Sequence, residues 1–439
     1  MTATATYNKR AFSGNYPAHW QVLRIKNIFS EIEDRSTDGT EELLSVSHYT
    51  GVTLKRDSLE NEDDLLTNAE TLVGYKKVTK GDLIINIMGA WNGRLGISAY
   101  DGITSPAYCV YRVKGNDNPE YFGYLFSTNL MITEFRKKSK GVGNGFLRLY
   151  TDQLYSIHAV VPPVEEQNHI VEYIKKQSEK INRFIAKKQR FIELLKEQKQ
   201  SVINEAVTKG INKGVKLKDS GIKWLGNIPE NWEVKRLKNC IHGKLKYGAN
   251  ESGFEYNPSW YRYIRITDFT KDGYLDDENK LSLPPEIGFE YNLIDGDILF
   301  ARSGATVGKT FQFRFTNEEE KYCYAGYLIK ASPNEDIILS DFLMRYTNSI
   351  AFENWKNSIF NKATIENIGA DKYCTLKIPI PSIEEQMQIL EFIKAETATI
   401  DKAIAKTERE IELIKEYKEA MIAEAVMGKA KIYNTVNAQ

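Results

Sequence analysis

The sequence predicts an α+β protein made of two repeated α+β domains, each followed by a long helix. Three observations carry this. Tyr16-Pro-Ala-His-Trp-Gln-Val-Leu-Arg-Ile-Lys-Asn27 returns as Ile228-Pro-Glu-Asn-Trp-Glu-Val-Lys-Arg-Leu-Lys-Asn239. Val164-Glu-Glu-Gln167 returns as Ile383-Glu-Glu-Gln386. Turn-rich, mixed sequence precedes each Glu-Glu-Gln, and a stretch without proline or internal glycine follows it. A duplicated unit presents two similar surfaces, which suits reading or bridging two similar things better than building one catalytic pocket.

The first domain is placed at 1–162. Asp82-Leu-Ile-Ile-Asn-Ile-Met88 reads as a strand bounded by Gly and Asn turn signals, and the stretch near 119–139 reads as helical. The first long helix is placed at 163–209. It is rich in Glu, Lys, Gln, Ile, Leu and Ala, with Pro163 at its start. Ile174, Ile181, Leu195 and Val202 follow a seven-residue period, with Ile185 and Ile192 alongside and Phe184 and Phe191 beside those. A linker is placed at 210–226 and the second domain at 227–378, with a strand at Asp297-Ile-Leu-Phe-Ala-Arg302 and a helix near 339–357. The second long helix is placed at 379–428 and a tail at 429–439. Its stripe is Ile393, Ile400, Ile414 and Met421, flanked by Ile404, Ile411 and Ala425.

A helix of this length is a rod of roughly 65–70 Å at about 1.5 Å per residue. Such a rod cannot hide its stripe inside one small domain. One alternative is a surface helix packed along its own domain. The favoured expectation is that the two rods bury their stripes against each other as a coiled-coil spacer, with Lys188 and Thr407 helping to set register. The order domain, rod, domain, rod makes an antiparallel pair the simpler one, with pseudo-two-fold symmetry across the rods.

Composition narrows the class. The 439 residues carry 59 basic and 59 acidic side chains, a formal net charge of zero, and 42% hydrophobic residues. That argues against a strongly basic, autonomous nucleic-acid binder while leaving local basic surfaces open. Cys109, Cys240, Cys323 and Cys374 are scattered and read as free thiols. MTATATYNKR has no apolar signal core, and no run approaches the ~20 apolar residues of a membrane span. A cytoplasmic protein with no membrane partner is expected.

The sharpest enzyme-like signal is Ser303-Gly-Ala-Thr-Val-Gly-Lys-Thr310 after a strand. A phosphate-binding P-loop needs glycine where Ser303 stands. The repeat supplies a second test, because the matching segment Met88-Gly-Ala-Trp-Asn-Gly-Arg-Leu95 lacks the Lys-Thr pair. What the copies share is a glycine turn with one cation, Arg94 or Lys309. It reads either as a plain turn or as a loop offering that cation to a phosphate backbone, with Arg302 nearby. Asn257-Pro-Ser-Trp260 approaches an amino-methyltransferase motif but lacks its second proline and reads as a surface turn. The five histidines have no metal-ligand spacing, and no nucleophile–base constellation is seen, so no catalytic or metal residue is expected.

Basic runs complete the candidate set. Arg136-Lys-Lys-Ser-Lys-Gly-Val-Gly-Asn-Gly-Phe-Leu-Arg148 has a counterpart in Trp355-Lys-Asn-Ser-Ile-Phe-Asn-Lys362. Lysines suit phosphates, and asparagine or arginine suits base edges. A solvated loop is the plain alternative for each. The expected DNA-contact residues are Trp91, Asn92, Arg94, Lys138, Lys140, Asn144 and Arg148 in the first copy. In the second they are Arg302, Thr306, Lys309, Asn361 and Lys362. Arg24 and Arg236 also match, but beside Trp20 and Trp232 they can simply cover an aromatic ring.

These residues resemble the specificity subunit of Type I restriction–modification enzymes. The resemblance is carried by Leu217-Lys-Asp-Ser-Gly-Ile-Lys-Trp-Leu-Gly-Asn-Ile-Pro-Glu-Asn-Trp-Glu-Val-Lys-Arg-Leu-Lys238, the Gly-Asp strands at 81–83 and 296–298, Ala301-Arg-Ser-Gly-Ala-Thr-Val-Gly-Lys309, and the paired Glu-Glu-Gln helices. It covers nearly the whole chain. The first copy departs by lacking the Asp-Ser-Gly-Ile-Lys-Trp-Leu lead-in. The resemblance implies two target-recognition domains separated by two antiparallel helices. It implies binding of double-stranded DNA and no catalysis or cofactor in this chain. Two modification (methyltransferase) subunits would supply S-adenosylmethionine chemistry, and restriction subunits would supply ATP- and Mg-dependent translocation and cleavage. Shared framework with differing loops implies an asymmetric bipartite target with an unread spacer. The rivals are a protein-only coiled-coil adaptor and a stand-alone DNA methyltransferase or nuclease.

Overall fold

The computed structural model describes residues 16–47, 51–55, 71–141, 147–270, 273–317, 319–360 and 367–430. The chain forms two units, Met1–Lys188 with Arg409–Gln439, and Gln189–Glu408. Both follow one plan.

In unit 1 the strand Gln21–Arg24 pairs antiparallel with His158–Val161, zipping the start of the domain to its end. Between them lies a four-stranded antiparallel sheet in the order Phe29–Ile32, Tyr108–Val113, Leu83–Asn86, Leu95–Ile97. Two helices, Pro119–Phe126 and Asn129–Lys138, follow. Asn118 and Thr128 cap them by accepting from the amides of Glu120 and Met131. Their buried Phe122 and Phe126 pack on Phe29, and Phe135 packs edge to face on Phe126.

Unit 2 repeats this plan. Glu233–Arg236 pairs with Lys377–Ile380. The sheet order is Lys246–Tyr247, Leu328–Ala331, Ile298–Ala301, Thr310–Gln312. Helices Ser340–Thr347 and Ile350–Phe360 follow. Unit 2 adds a second four-stranded sheet in which Tyr261–Ile264 and Lys321–Tyr324 run parallel. The segment before its Trp-containing strand folds onto the unit: Leu217–Asp219 pairs with Asn227–Pro229, and Ile222 and Leu225 are buried in the core.

The repeated Gly-Asp pairs are turn and cap together. Gly81 and Gly296 have φ of 94° and 86°, which a side chain strongly disfavours. The buried Asp82 accepts from the Thr79 amide at 2.8 Å and from Arg112 Nε and Nη2 at 2.8 Å each. Asp297 accepts from the Ile294 amide at 2.9 Å and lies 3.4 Å from Lys330 Nζ. Burial holds the Asp297 carboxyl above the usual carboxylate range despite that lysine.

The long helices are Val164–Lys209 and Ile383–Val426. In unit 1 the start of the first helix meets the end of the second: Lys188 pairs with Glu410 at 2.6 Å, and Lys418 bonds Asn182 at 3.0 Å. In unit 2 the end of the first meets the start of the second, with Lys199 on Asp401 at 2.7 Å. In unit 1, rising numbers on one helix oppose falling numbers on the other, so the pairing there is antiparallel. The helices also pack on the domains, since Ile170, Ile174, Ala425 and Val426 join the unit 1 core and Ile389 and Ile393 join that of unit 2. Lys188 sets register through Glu410, whereas Thr407 is buried and returns its hydroxyl to Ala403 O at 2.8 Å. Phe184 and Phe191 do not enter the seam: they are 42% and 45% exposed. A single partner helix covers a narrow stripe, which Ile181 and Ile185 or Ile192 and Leu195 already fill.

Each long helix ends on a left-handed glycine against a tryptophan. A Cβ at Gly428 (φ 67°) would lie 2.5 Å from Pro17 Cδ and 2.9 Å from the Trp20 ring. A Cβ at Gly210 (φ 74°) would lie 3.2 Å from the Trp232 ring. Gly210→Ala is therefore expected to cost about 1–2 kcal/mol, the left-handed penalty alone. Gly428→Ala is expected to cost more, because Pro17 and Trp20 must also move. Chemical denaturation of the two variants checks the ranking, and equal losses would contradict it.

Candidate nucleic-acid interface

In both units the candidate residues gather where the second of the central strands turns back. In unit 1, Leu83–Asn86 leads into a short 3-10 helix, Ala90–Asn92, closed by Gly93 at φ 77°. The Asn86 side chain accepts from the Met88 amide at 3.1 Å, and the Arg94 amide bonds Gly89 O at 3.0 Å. Trp91 is half-buried, its indole N–H donating to Met88 O at 2.8 Å. The Arg136 guanidinium lies over the Trp91 ring at 5.3 Å. Lys140 and Arg148 exchange backbone hydrogen bonds of 2.9 and 2.8 Å, and the Leu149 amide bonds Ile87 O at 2.9 Å. The basic run is thus tied to the glycine turn. Arg94, Lys140 and Arg148 are exposed, and Asn92 and Lys138 are half-buried. Lys138 and Arg24 add to burial in holding His158 below the usual histidine range. Asn144 lies outside the described residues.

In unit 2, Ile298–Ala301 leads into the 3-10 helix Gly304–Thr306, with Gly304 and Gly308 at φ 76° and 79°. The Lys356 side chain crosses Gly308 and would have to shift to admit a Cβ there. Arg302 is fixed at both backbone ends: its amide bonds Tyr327 O at 3.1 Å, and its carbonyl accepts from Ile368 at 2.9 Å. Its guanidinium lies 5.0 Å from the centre of the Tyr247 ring. Lys309 is exposed and Thr306 half-buried. Asn361 and Lys362 lie outside the described residues.

The turn does not form a P-loop. It leads into a strand, Thr310–Gln312, where a phosphate cradle needs a helix N-terminus. Thr310 is buried, with its hydroxyl on Thr347 Oγ1 at 2.9 Å. Asn257-Pro-Ser-Trp260 is a turn in which the Asn257 side chain accepts from the Ser259 amide at 2.9 Å. Among the described residues no cluster of three or more His, Cys, Asp or Glu could hold a metal, and no helix is long and apolar enough to cross a membrane.

Sequence reasoning missed the partners that converge on the turns. Arg136 and Lys356 lie inside the basic runs, but nothing in the sequence singles them out. Tyr247 reaches Arg302 only because its strand pairs with Leu328–Ala331. Charge pairing supplies a further distinction. Arg112, Arg183, Arg190, Arg262, Arg265, Arg314 and Arg409 each pair with a carboxylate. Among the described residues, Arg94, Arg136, Arg148 and Arg302 have no such partner, and neither have Arg24, Arg236 and Arg345 away from the turns. Cations left unpaired beside a turn are available to an anionic polymer.

Two α+β units of one plan, each carrying a cationic glycine turn flanked by loops that differ between the copies, define a duplicated recognition scaffold. The family of the Type I restriction modification DNA specificity domain matches residues 17–194 and 229–413, and the chain belongs to that family. It is 24% identical over 427 residues to the MjaVIII type I restriction enzyme specificity subunit of Methanocaldococcus jannaschii, across 95% of this chain and 94% of that one. It is 23% identical over 383 residues to the EcoBI specificity subunit of Escherichia coli, across 85% and 78%. The same fold occurs in a chain solved in work on complex assembly and conformational transition of the type I R-M system (TM-score 0.66, 16% identity, 94% of this chain and 99% of that one). It occurs also in the HsdS subunit from Thermoanaerobacter tengcongensis (TM-score 0.53, 16% identity, 94% and 98%).

Proposed function

We propose that this chain is the DNA-reading specificity subunit of a type I restriction–modification complex, with one half of an asymmetric bipartite target read by each unit. The observation that carries this is the cationic glycine turn, built on the same sheet in both units but dressed with different loop residues. Shared framework gives both units one way of approaching a duplex, and different loops give different half-sites. The chain acts in the cytoplasm without catalysing a reaction or holding a cofactor. Two methyltransferase subunits supply S-adenosylmethionine chemistry, and restriction subunits supply ATP- and Mg-dependent cleavage. Near-neutral net charge suits a subunit that shares its grip on DNA with partners.

Co-expression with a methyltransferase partner, followed by mapping of methylated adenines in host DNA, tests this. A bipartite motif that disappears when this chain is deleted is the expected result. Methylation by the purified chain alone would favour the enzyme reading. Absence of any chain-dependent motif would favour the protein-only adaptor.

A further inference from the structure

We infer that an arginine stacked on an aromatic ring is the base-reading head of each unit, Arg136 on Trp91 in unit 1 and Arg302 on Tyr247 in unit 2, and that each reads a guanine. The inference rests on the specificity reading above and deepens it.

Both stacks are held in place. The Trp91 ring is anchored through its indole N–H on Met88 O at 2.8 Å. The Tyr247 ring is anchored through its hydroxyl, which accepts from the Ala370 amide at 2.9 Å. Each guanidinium lies over its ring, at 5.3 Å for Arg136 and 5.0 Å for Arg302. Neither has a carboxylate partner among the described residues. The Arg302 Nε is sealed from solvent without a partner and the terminal nitrogens are not, so the outer edge of the fork carries the hydrogen-bonding capacity.

The two stacks have swapped origins. In unit 1 the ring belongs to the turn and the arginine comes from the helix Asn129–Lys138. In unit 2 the arginine opens the turn and the ring comes from the strand Lys246–Tyr247. Ile87 and Arg302 hold the same place, each accepting at its carbonyl from a backbone amide further along the chain, Leu149 or Ile368. Each unit therefore carries a stack beside its turn, built from non-equivalent residues at different positions of the shared framework. A repeat comparison of the sequence cannot see this.

The chemistry selects guanine. Two acceptors, O6 and N7, face the major groove of a G·C pair and match the planar fork of arginine. A fork already stacked has lost rotamer freedom before binding, so less is lost on contact. Lys309 and Lys140, exposed point charges without such a platform, suit phosphates instead.

The test uses the full chain in complex with its methyltransferase partner and duplexes carrying the mapped motif. 7-Deazaguanine, which lacks the N7 acceptor, replaces each guanine in turn. One position in each half-site is expected to weaken wild-type binding about 5- to 150-fold. R302Q should be indifferent to the replacement in one half-site and keep its response in the other, with R136Q reciprocal. Y247L keeps the arginine but removes its platform, and should blunt the response at the Arg302 position. K309Q should lower the salt slope by about 0.9 and leave every 7-deazaguanine response intact. A wild-type complex indifferent to 7-deazaguanine throughout one half-site overturns the inference without needing any variant to fold. So does an R302Q complex with the full wild-type pattern. A wild-type complex with no sequence-selective binding at all overturns the specificity reading itself, a different result from indifference to N7.

Discussion

Exchanging residues 1–162 for the equivalent domain of another chain of this family is expected to replace one half of the methylated motif entirely and leave the other half unchanged. The two cores make this a physical expectation. The buried cluster of unit 1 and that of unit 2 share no residue. Each turn is braced by its own unit's sheet and helices, through Leu149 on Ile87 in unit 1 and Ile368 on Arg302 in unit 2. A cut after Val161 and Pro162 keeps the pairing of Gln21–Arg24 with His158–Val161 inside the exchanged piece.

The seam sets the conditions for success. Trp20 Nε1 donates to Glu166 at 2.8 Å, and Tyr121 donates its hydroxyl to Val426 O at 3.0 Å. Gln167 accepts from the Asn118 amide at 2.7 Å and donates to Asp117 at 2.7 Å. An incoming domain that keeps a tryptophan and a buried hydroxyl at the positions of Trp20 and Tyr121 should fold. Y121F in the parent chain should lower stability by about 1–3 kcal/mol without altering either half-site, because it leaves a buried carbonyl short of a partner. Methylation mapping of the chimera decides the matter. A change in both halves would mean that the units do not read independently.

The sequence shows the framework better than the reading surface, and the reason is the range of the interactions. Strands at Gly81-Asp82 and Gly296-Asp297 announce themselves because glycine and a capping carboxylate act within a few residues. The long helices announce themselves by composition and by proline at their starts. Their antiparallel packing in unit 1 rests on pairs such as Lys188–Glu410, which no local pattern joins. The same holds for the parallel pair Tyr261–Ile264 and Lys321–Tyr324, and for Tyr247 beneath Arg302. The amphipathic stripe was legible, but its width was not. Phe184 and Phe191 look like core residues by spacing and stand exposed, because only the partner helix can say how much of the stripe it covers.

Gln386→Leu is expected to destabilise unit 2 by about 3–5 kcal/mol, the largest single-residue effect foreseen here. Of the repeated Glu-Glu-Gln, the glutamine is the member that the fold cannot lose. Gln386 is fully buried. Its Oε1 accepts from the Leu339 amide at 2.8 Å, and its Nε2 donates to Ile337 O at 2.9 Å and Pro381 O at 3.1 Å. It fastens the first turn of the long helix to the segment that opens Ser340–Thr347. Leucine fills similar volume but strands one amide and two carbonyls away from water, each worth about 1–3 kcal/mol when left unpaired. Gln167 matches it in unit 1 on the Asn118 amide and Pro162 O, with the Asp117 carboxylate in place of the second carbonyl, so Q167L should damage that unit somewhat less. The glutamates differ. Glu384 and Glu165 are exposed in the first turn, where they complement the helix dipole, and alanine there should cost less than about 1 kcal/mol. Hydrogen exchange gives a local readout, because the Leu339 amide has Gln386 as its acceptor. In Q386L that amide should exchange at least about 100-fold faster, as expected for a local loss near 3 kcal/mol. An unchanged Leu339 rate beside a normal unfolding midpoint would show that the repeated glutamine fastens nothing.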